Sequence, residues 1–142
     1  MESVRLDVSG AYFGRLSKGS DLVEEVMAMT VKNGVTSGFF TAIGAVEGAV
    51  IGFYRQDARE YVKSVFDGPL ELSSCAGNVM LKDGKLFVHA HACLSRRDGS
   101  TVGGHLVSAK VFAGEIFIFS FDNRMNRSFD EDTGLYLVDV PR

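Results

Sequence analysis

Three histidines lie close together in the sequence, between positions 89 and 105, and could bind one metal ion. His89 and His91 form a His-x-His pair, and residues two apart on a strand project from the same face, about 7 Å apart. Neutral imidazole is a preferred ligand of zinc and neighbouring transition metals. We therefore predict that His89, His91 and His105 bind Zn²⁺ or another divalent transition metal. Three protein ligands leave a fourth tetrahedral position for water or a small anionic ligand.

The loop between the two histidine segments decides whether the third histidine reaches the metal. If Arg97-Asp98-Gly99 forms a three-residue loop with its glycine in the left-handed conformation, His91 lies opposite His105. A two-residue loop would place His105 opposite Ala92, on the other face of the sheet. Metal binding therefore predicts the longer loop, or a compensating bulge at Gly103-Gly104.

The two cysteines are too few for a disulfide framework and lack the C-x-x-C spacing of many metal sites. Their simplest interpretation is that Cys75 and Cys93 are two small buried hydrophobic residues. Cys93 continues the face of His89 and His91, however, and could be a fourth ligand. The histidines themselves could also be half-buried and hydrogen-bonded without any metal.

A zinc-dependent hydrolase or lyase, in which metal-bound water attacks the substrate, is the alternative to a binding module. Such an enzyme needs a general base near the metal. Glu71, Glu115 and Asp122 are candidates because they border predicted strands, but each is more typical of a surface or turn carboxylate. The sequence leaves open whether the protein is an enzyme.

Composition indicates a globular protein with one core. The chain has 142 residues, 46% of them hydrophobic and 23% charged, and a net charge of −3. No apolar run reaches the roughly 18 residues that cross a membrane, and residues 1–10 alternate like a strand rather than a signal peptide, so we expect a cytoplasmic protein. The basic pairs Arg96-Arg97 and Arg124/Arg127 are interpreted as loop charges, which argues against DNA binding by this domain alone. DNA association would need a trimer whose basic loops combine into one patch.

The clearest helix signal begins at Ser20 or Asp21, either of which could cap the N-terminus, with Glu24 and Glu25 in the first turn. Asn33-Gly34 is a typical C-terminal stop. An apolar stripe with helical spacing is formed by Leu22, Val23, Val26, Met27 and Val31.

Strands are predicted for most of the remaining sequence. Residues 5–16 suit one or two short strands, and residues 39–53 two strands bent at Gly44 to Gly48. Asp67-Gly68-Pro69 is predicted to be a turn, and 82–85 a hairpin turn. Further strands are expected at 61–66, 70–81, 86–94, 115–121 (fully buried) and in a short segment of 129–140. We predict a single α+β domain over 1–142, with one main helix against a curled antiparallel sheet or open barrel.

Six segments, in order over nearly the whole chain, resemble the PPC ("plants and prokaryotes conserved") domain. They are G-R-L-S-K-G-S-D-L (14–22), T-A-I-G-A-V (41–46), G-P-L-E-L-S-S-C-A-G-N-V (68–79), K-L-F-V-H-A-H-A-C-L (85–94), G-G-H-L (103–106) and F-D-E-D-T-G-L (129–135). The three histidines match the H-x-H and G-G-H positions of prokaryotic relatives, where metal has been associated with them.

The resemblance implies a homotrimer, which would bury the bare surface of the sheet. Plant members follow AT-hooks and mediate oligomerisation and contacts with nuclear proteins, whereas prokaryotic members are commonly labelled predicted DNA-binding proteins. This chain has no R-G-R-P core of an AT-hook, and G-P-L-E-L-S (68–73) replaces the plant G-R-F-E-I-L, retaining counterparts of Gly68, Glu71 and Leu72. We therefore expect a homotrimeric metal-binding module that contacts a small anionic ligand or a protein, without an inherited AT-hook interaction with DNA.

Overall fold

The structure, a computed structural model, describes residues 3–140 and consists mainly of β-strands. One helix accompanies seven strands, so the predicted α+β class gives too much weight to helix. The elements in chain order are β1 (Val8–Leu16), α1 (Leu22–Lys32), β2 (Gly38–Arg55), β3 (Glu60–Lys82), β4 (Lys85–Ser95), β5 (Thr101–Phe121), β6 (Asn126–Asp130) and β7 (Leu135–Val138).

The sheet curls until four of its strands close into a ring. Strand β2 pairs with β3, β3 with β4, β4 with the start of β5, and β5 with β2, all antiparallel. Strand β1 extends the sheet beside β5. Strand β6 pairs in parallel with the end of β3, and β7 follows β6 in a hairpin. The predicted curled sheet with one main helix is confirmed.

Two predicted interruptions lie inside continuous strands. Residues 39–53 belong to the single strand β2, which bends through irregular register near Gly44 and Gly48 instead of breaking. Residues 67–69, predicted to be a turn, lie within β3. Pro69 is tolerated there because the register with β2 shifts between Asp67 and Leu70, where no ladder hydrogen bond requires its missing N–H group.

Strand β5 contains two bulged residues along its contact with β2. Val107 lies between Leu106 and Ser108, whose partners in β2 are adjacent residues, and Phe112 is skipped in the same way. Each bulge reverses the alternation of side chains that follows it. Because two reversals cancel, His105 before them and Phe117 after them project from the same face of the sheet.

The helix begins and ends where the sequence predicts. The Asp21 side chain accepts hydrogen bonds from the backbone N–H groups of Val23 and Glu24, and Asn33 is the C-terminal cap. Leu22, Val26 and Thr30 are buried, whereas Val31, predicted to belong to the apolar stripe, is 61% exposed. This helix is too short to cross a membrane, and no other α-helix occurs within residues 3–140. The cytoplasmic location stays a prediction.

The outer face of the sheet carries exposed aromatic rings. Residues 115–121, predicted to be fully buried, instead alternate between buried Ile116 and Ile118 and exposed Phe117 and Phe119. The reason is that only one face of this strand contacts the core. Together with neighbouring strands, these residues form the phenylalanine surface, which we define as Phe13, Phe39, Phe117 and Phe119.

Candidate metal centre

The side chains of strand β4 project alternately from its two faces. Ala90 and Ala92 point inward and are buried in the core, whereas His89 and His91 point outward from the ring. This separation follows from the two-residue period of a strand. The small alanines let β4 approach the core closely, and the histidines remain available on the outer face.

The predicted loop between β4 and β5 is confirmed. The Arg96 N–H group donates a 2.8 Å hydrogen bond to the Ser100 carbonyl oxygen, which closes a loop of three residues. Gly99 has a φ angle of 83°, in the left-handed region that a glycine adopts without strain. His91 is therefore directly opposite His105. The pairing of β4 with β5 is regular from there to the loop, so the alternative of a compensating bulge at Gly103-Gly104 is not needed.

The three imidazoles converge on the outer face. One nitrogen of each of His89, His91 and His105 lies within 4.8 Å of those of the other two. The ring centroids are 5.2 to 5.7 Å apart. We call these three residues the histidine centre. The separation is suited to a single cation bound by all three rings with modest side-chain adjustment, since Zn–N bonds are about 2.0–2.1 Å long.

A glycine lets an aromatic ring cover one side of the histidine centre. Gly52 lies opposite His105 in the sheet, and a methyl group built on it would lie 3.2 Å from the Tyr61 ring and 3.6 Å from the His105 ring. Because that space is free, the Tyr61 and His105 ring centroids approach to 5.0 Å.

Burial keeps two of the histidines neutral near pH 7. Desolvation, reinforced by the positive charge of Arg127, lowers the pKa of His89 from 6.5 to about 4. Burial also lowers the pKa of His105, with smaller contributions from His91 and Arg127. A neutral imidazole has the free lone pair that a metal requires, so these rings do not have to lose a proton before binding.

Arg127 adjoins the centre, although the sequence analysis interpreted it as a loop charge. It lies in β6 and is only 8% exposed, because the parallel pairing of β6 with β3 brings it over His89. Its guanidinium donates to the Tyr136 carbonyl oxygen (2.8 Å), to Asn78 Oδ1 (2.8 Å) and to His89 Nδ1 (3.2 Å). No local pattern indicates this contact, since 38 residues separate Arg127 from His89.

The donor to His89 also fixes its protonation. A guanidinium can only donate, so in the metal-free chain Nδ1 of His89 accepts and the neutral ring carries its proton on Nε2. To bind a metal, the ring would have to exchange this donor for the ion at Nδ1, or move its proton away from Nε2 and give up the contact with Arg127. Burial lowers the pKa of Arg127, which nonetheless stays far above neutral pH in proteins. The histidine centre is therefore flanked by a permanent positive charge.

A pocket of about 260 Å³ opens beside His89 and His105. Besides these two histidines and Arg127, it is lined by residues of β3, β4 and the β6–β7 hairpin: Tyr61, Lys82, Phe87, Gly134, Leu135, Tyr136 and Leu137. The Lys82 ammonium lies 3.7 Å from the Tyr136 ring centroid and 5.1 Å from that of Phe87. The sequence analysis did not assign Lys82, Tyr61 or Arg127 to the site. Tyr61 and Lys82 lie near opposite ends of β3, and Arg127 lies in β6.

The residues present fit a divalent transition metal. His105 Nδ1 is buried and has no hydrogen-bond partner, a costly arrangement that a metal bond to this atom would relieve. Three neutral imidazoles are also a common ligand set for zinc with one open position. His89, His91 and His105 would hold the ion.

The other candidate residues do not join this cluster. Cys93 is exposed, contrary to its interpretation as a buried residue, and lies outside the group of converging ligands. Cys75 is buried as predicted, and burial raises the pKa of its thiol to about 12. None of the candidate bases Glu71, Glu115 and Asp122 lines the pocket.

Comparison with known proteins identifies the family and the fold. A family model described as the Plants and Prokaryotes Conserved (PCC) domain matches residues 7–122. No match is found among curated proteins. The structure resembles a metal-containing protein from Archaeoglobus fulgidus with a TM-score of 0.91 and 43% identity, over 96% of this chain and 98% of the other.

Two further solved structures share the fold. A plant- and prokaryote-conserved (PPC) protein from Pyrococcus horikoshii has a TM-score of 0.92 and 31% identity, over 100% of this chain and 99% of the other. A candidate DNA-binding protein from Bacteroides thetaiotaomicron has a TM-score of 0.87 and 26% identity, over 96% and 99% of the two chains. The resemblance noted in the sequence is thereby confirmed.

Proposed function

This chain belongs to the Plants and Prokaryotes Conserved domain family, and on that premise we propose that it is a metal-binding module that recognises a ligand at the metal. The observation that carries the proposal is the convergence of three histidine nitrogens, from two adjacent strands, within 4.8 Å of one another. The similarity to a metal-containing protein from Archaeoglobus fulgidus supports it.

Zinc is the metal that we propose. Its tetrahedral preference suits three imidazoles, and the fourth position would accept water or a small anion. When bound, zinc supplies a Lewis acid and a local double positive charge. The chain's own contribution is to hold His89 and His105 neutral, to position His91 by the β4–β5 register, and to cover the centre with Tyr61.

A binding role is better supported than the alternative of a zinc-dependent hydrolase or lyase. Such an enzyme needs a general base or acid beside the metal. The pocket next to the histidine centre is lined by no Asp or Glu within the described residues 3–140. Glu71 lies opposite Ser95, four residues along β4 from His91, or about 13 Å at the rise of a strand.

We also propose that the chain assembles as a homotrimer through the phenylalanine surface. Its four rings lie on the three adjacent strands β1, β5 and β2, and the Phe13 and Phe117 rings are 4.7 Å apart. Contiguous exposed apolar patches of this kind mark protein interfaces. Arg15 and Glu115 pair across the same strands beside it, so a second copy could meet the surface with complementary charges.

DNA is not the ligand that we propose, although the relative from Bacteroides thetaiotaomicron is named as a candidate DNA-binding protein. Nucleic-acid affinity depends mainly on neutralising phosphates with Lys and Arg. The net charge of this chain is −3, and its most basic turn, at Arg96-Arg97, presents only two arginines.

The metal content of the purified protein tests the proposal. We expect one zinc per chain by elemental analysis after zinc loading and dialysis, and loss of that zinc in the His105→Ala variant. Cys93→Ala is the matched control, because Cys93 is an exposed neighbour on the same face that does not belong to the histidine centre. Absence of zinc from the wild type, or equal zinc in both variants, would contradict a three-histidine site.

A further inference from the structure

We infer that the pocket beside the histidine centre binds a small organic anion, a carboxylate with a short apolar tail. This inference rests on the proposed function, because it names the class of ligand that the metal site recognises. The pocket contains positive charge without a matching negative charge, and the rest of its lining is mainly aromatic and aliphatic.

The positive charges come from Arg127 and Lys82. Arg127 is 8% exposed, and all its hydrogen bonds go to neutral acceptors, the Tyr136 carbonyl, the Asn78 amide and the His89 ring. Its Nε atom is buried without any partner. Lys82 is half-buried and contacts aromatic rings rather than a carboxylate.

No carboxylate within residues 3–140 lies within 4.0 Å of either cation. Buried charges are normally paired, since an unpaired one loses its hydration without compensation. A divalent metal at the histidine centre would add two more positive charges at the same place. An anion in the pocket would be attracted to all three groups, so metal and anion should favour each other.

The apolar part of the pocket determines what else the ligand carries. Phe87, Leu135 and Leu137 are the apolar side chains of the lining, and the Phe87 ring also packs against both cations. A volume of about 260 Å³ lies below the range of about 300–1,000 Å³ for drug-sized ligands. A short carboxylic acid fits this combination better than a nucleotide or a fully hydrated inorganic ion.

Calorimetric titration with pentanoate tests the inference in both the zinc-loaded and the metal-free protein. Pentylamine, which has the same tail and the opposite charge, is the ligand control, and inorganic phosphate tests an anion without a tail. We expect pentanoate to bind, pentylamine not to bind, and phosphate to bind at least tenfold more weakly than pentanoate. Phosphate binding as tight as pentanoate binding would assign the pocket to an inorganic anion and overturn the inference.

Two lysine variants locate the binding. Lys82→Met should weaken pentanoate binding at least tenfold, the loss expected for one charge-assisted contact. Lys85→Met is the matched control, because Lys85 pairs directly with Lys82 across the β3–β4 hairpin but does not line the pocket. Equal weakening by both substitutions, or no binding of pentanoate to the wild type, would overturn the inference.

Zinc binding is measured on the same samples, which separates the two proposals. Zinc binding without pentanoate binding would refute the anion pocket and leave the metal module standing. Lys82-dependent pentanoate binding to a protein that takes up no zinc would refute the metal module and leave the anion pocket standing.

Discussion

The histidine centre and the phenylalanine surface lie on one face of one sheet, yet they present opposite chemistry. Direct strand pairing connects them, since His89 is opposite Asn78, Asn78 is opposite Phe39, and Phe39 is opposite Phe119. Two strand spacings, about 10 Å, separate His89 from Phe39. The centre combines two half-buried histidines, the exposed His91 and a buried guanidinium, whereas the surface consists of exposed rings.

This difference shows how one sheet face can serve two kinds of partner. Buried polar atoms that lack hydrogen-bond partners, such as His105 Nδ1, favour an ion or a small ligand that enters the pocket. Exposed rings on adjacent strands favour another protein surface, because only a broad partner can cover them. The comparison predicts that damage to one region leaves the other intact.

The largest effect is expected from Phe117→Asp, on the assembly of the protein. If this substitution also removed the metal, the two regions would not be independent. A charge in the centre of an apolar interface should convert the proposed trimer into a monomer, since a single aromatic hot spot contributes about 2–4 kcal/mol per interface. Analytical ultracentrifugation measures the mass, and elemental analysis should find zinc unchanged.

The matched control for that prediction is Phe53→Asp. Phe53 is a phenylalanine that is 73% exposed but lies in the β2–β3 hairpin, outside the phenylalanine surface. It should leave the mass of the wild type unchanged. Dissociation by Phe53→Asp but not by Phe117→Asp would show that the interface does not include the phenylalanine surface. A wild type that sediments as a monomer of 15.4 kDa would refute the assembly.

A smaller effect concerns the histidine centre alone, in the stability of the metal-free protein at low pH. The pKa of His89 is about 4 in the folded chain, below its ordinary value of 6.5, so the unfolded chain takes up this proton first as the pH falls. The free energy of unfolding should therefore decrease as the pH falls from about 6.5 to 4. Urea denaturation in the presence of EDTA measures it. The decrease should be smaller in His89→Gln, and an unchanged decrease there would exclude His89 as its cause.

The smallest expected effect is a change in the pKa of His89 that separates the contribution of burial from that of the Arg127 charge. In Arg127→Met the repulsion by the guanidinium is lost, so the pKa of His89 should rise above 4 but remain below 6.5, because burial is the larger cause. Histidine NMR signals followed against pH give the value in the metal-free protein. Arg124→Met, which removes an exposed arginine near the same strand, should change nothing. A fall in the pKa of His89 in Arg127→Met would contradict the electrostatic account.

The sequence was sufficient to predict the histidine centre because its geometry is local. The His-x-His spacing places two rings on one face, and Gly99 determines the loop that brings His105 opposite His91. These features depend on residues that are close along the chain. The helix was predictable for the same reason, with its Asp21 cap and its stop after Lys32.

The surroundings of the centre depend on distant contacts and could not be predicted in this way. Arg127 reaches His89 only because β6 pairs in parallel with the end of β3, and no pattern near either residue encodes that pairing. The continuity of β2 was missed because glycines that indicate a break can equally form bulges within a strand. Exposure of Phe117 and Phe119 was missed because an apolar run resembles a buried strand whichever face is covered.

The paired bulges of β5 limit how this part of the chain can change in evolution. Deleting either Val107 or Phe112 would shift the pairing register of the following residues by one position. His105 and Phe117 would then project from opposite faces of the sheet. Substitutions between these two residues can accumulate, but insertions and deletions can persist only in compensating pairs. Conservation of length, more than of residue identity, is the signature that this strand should leave in related proteins.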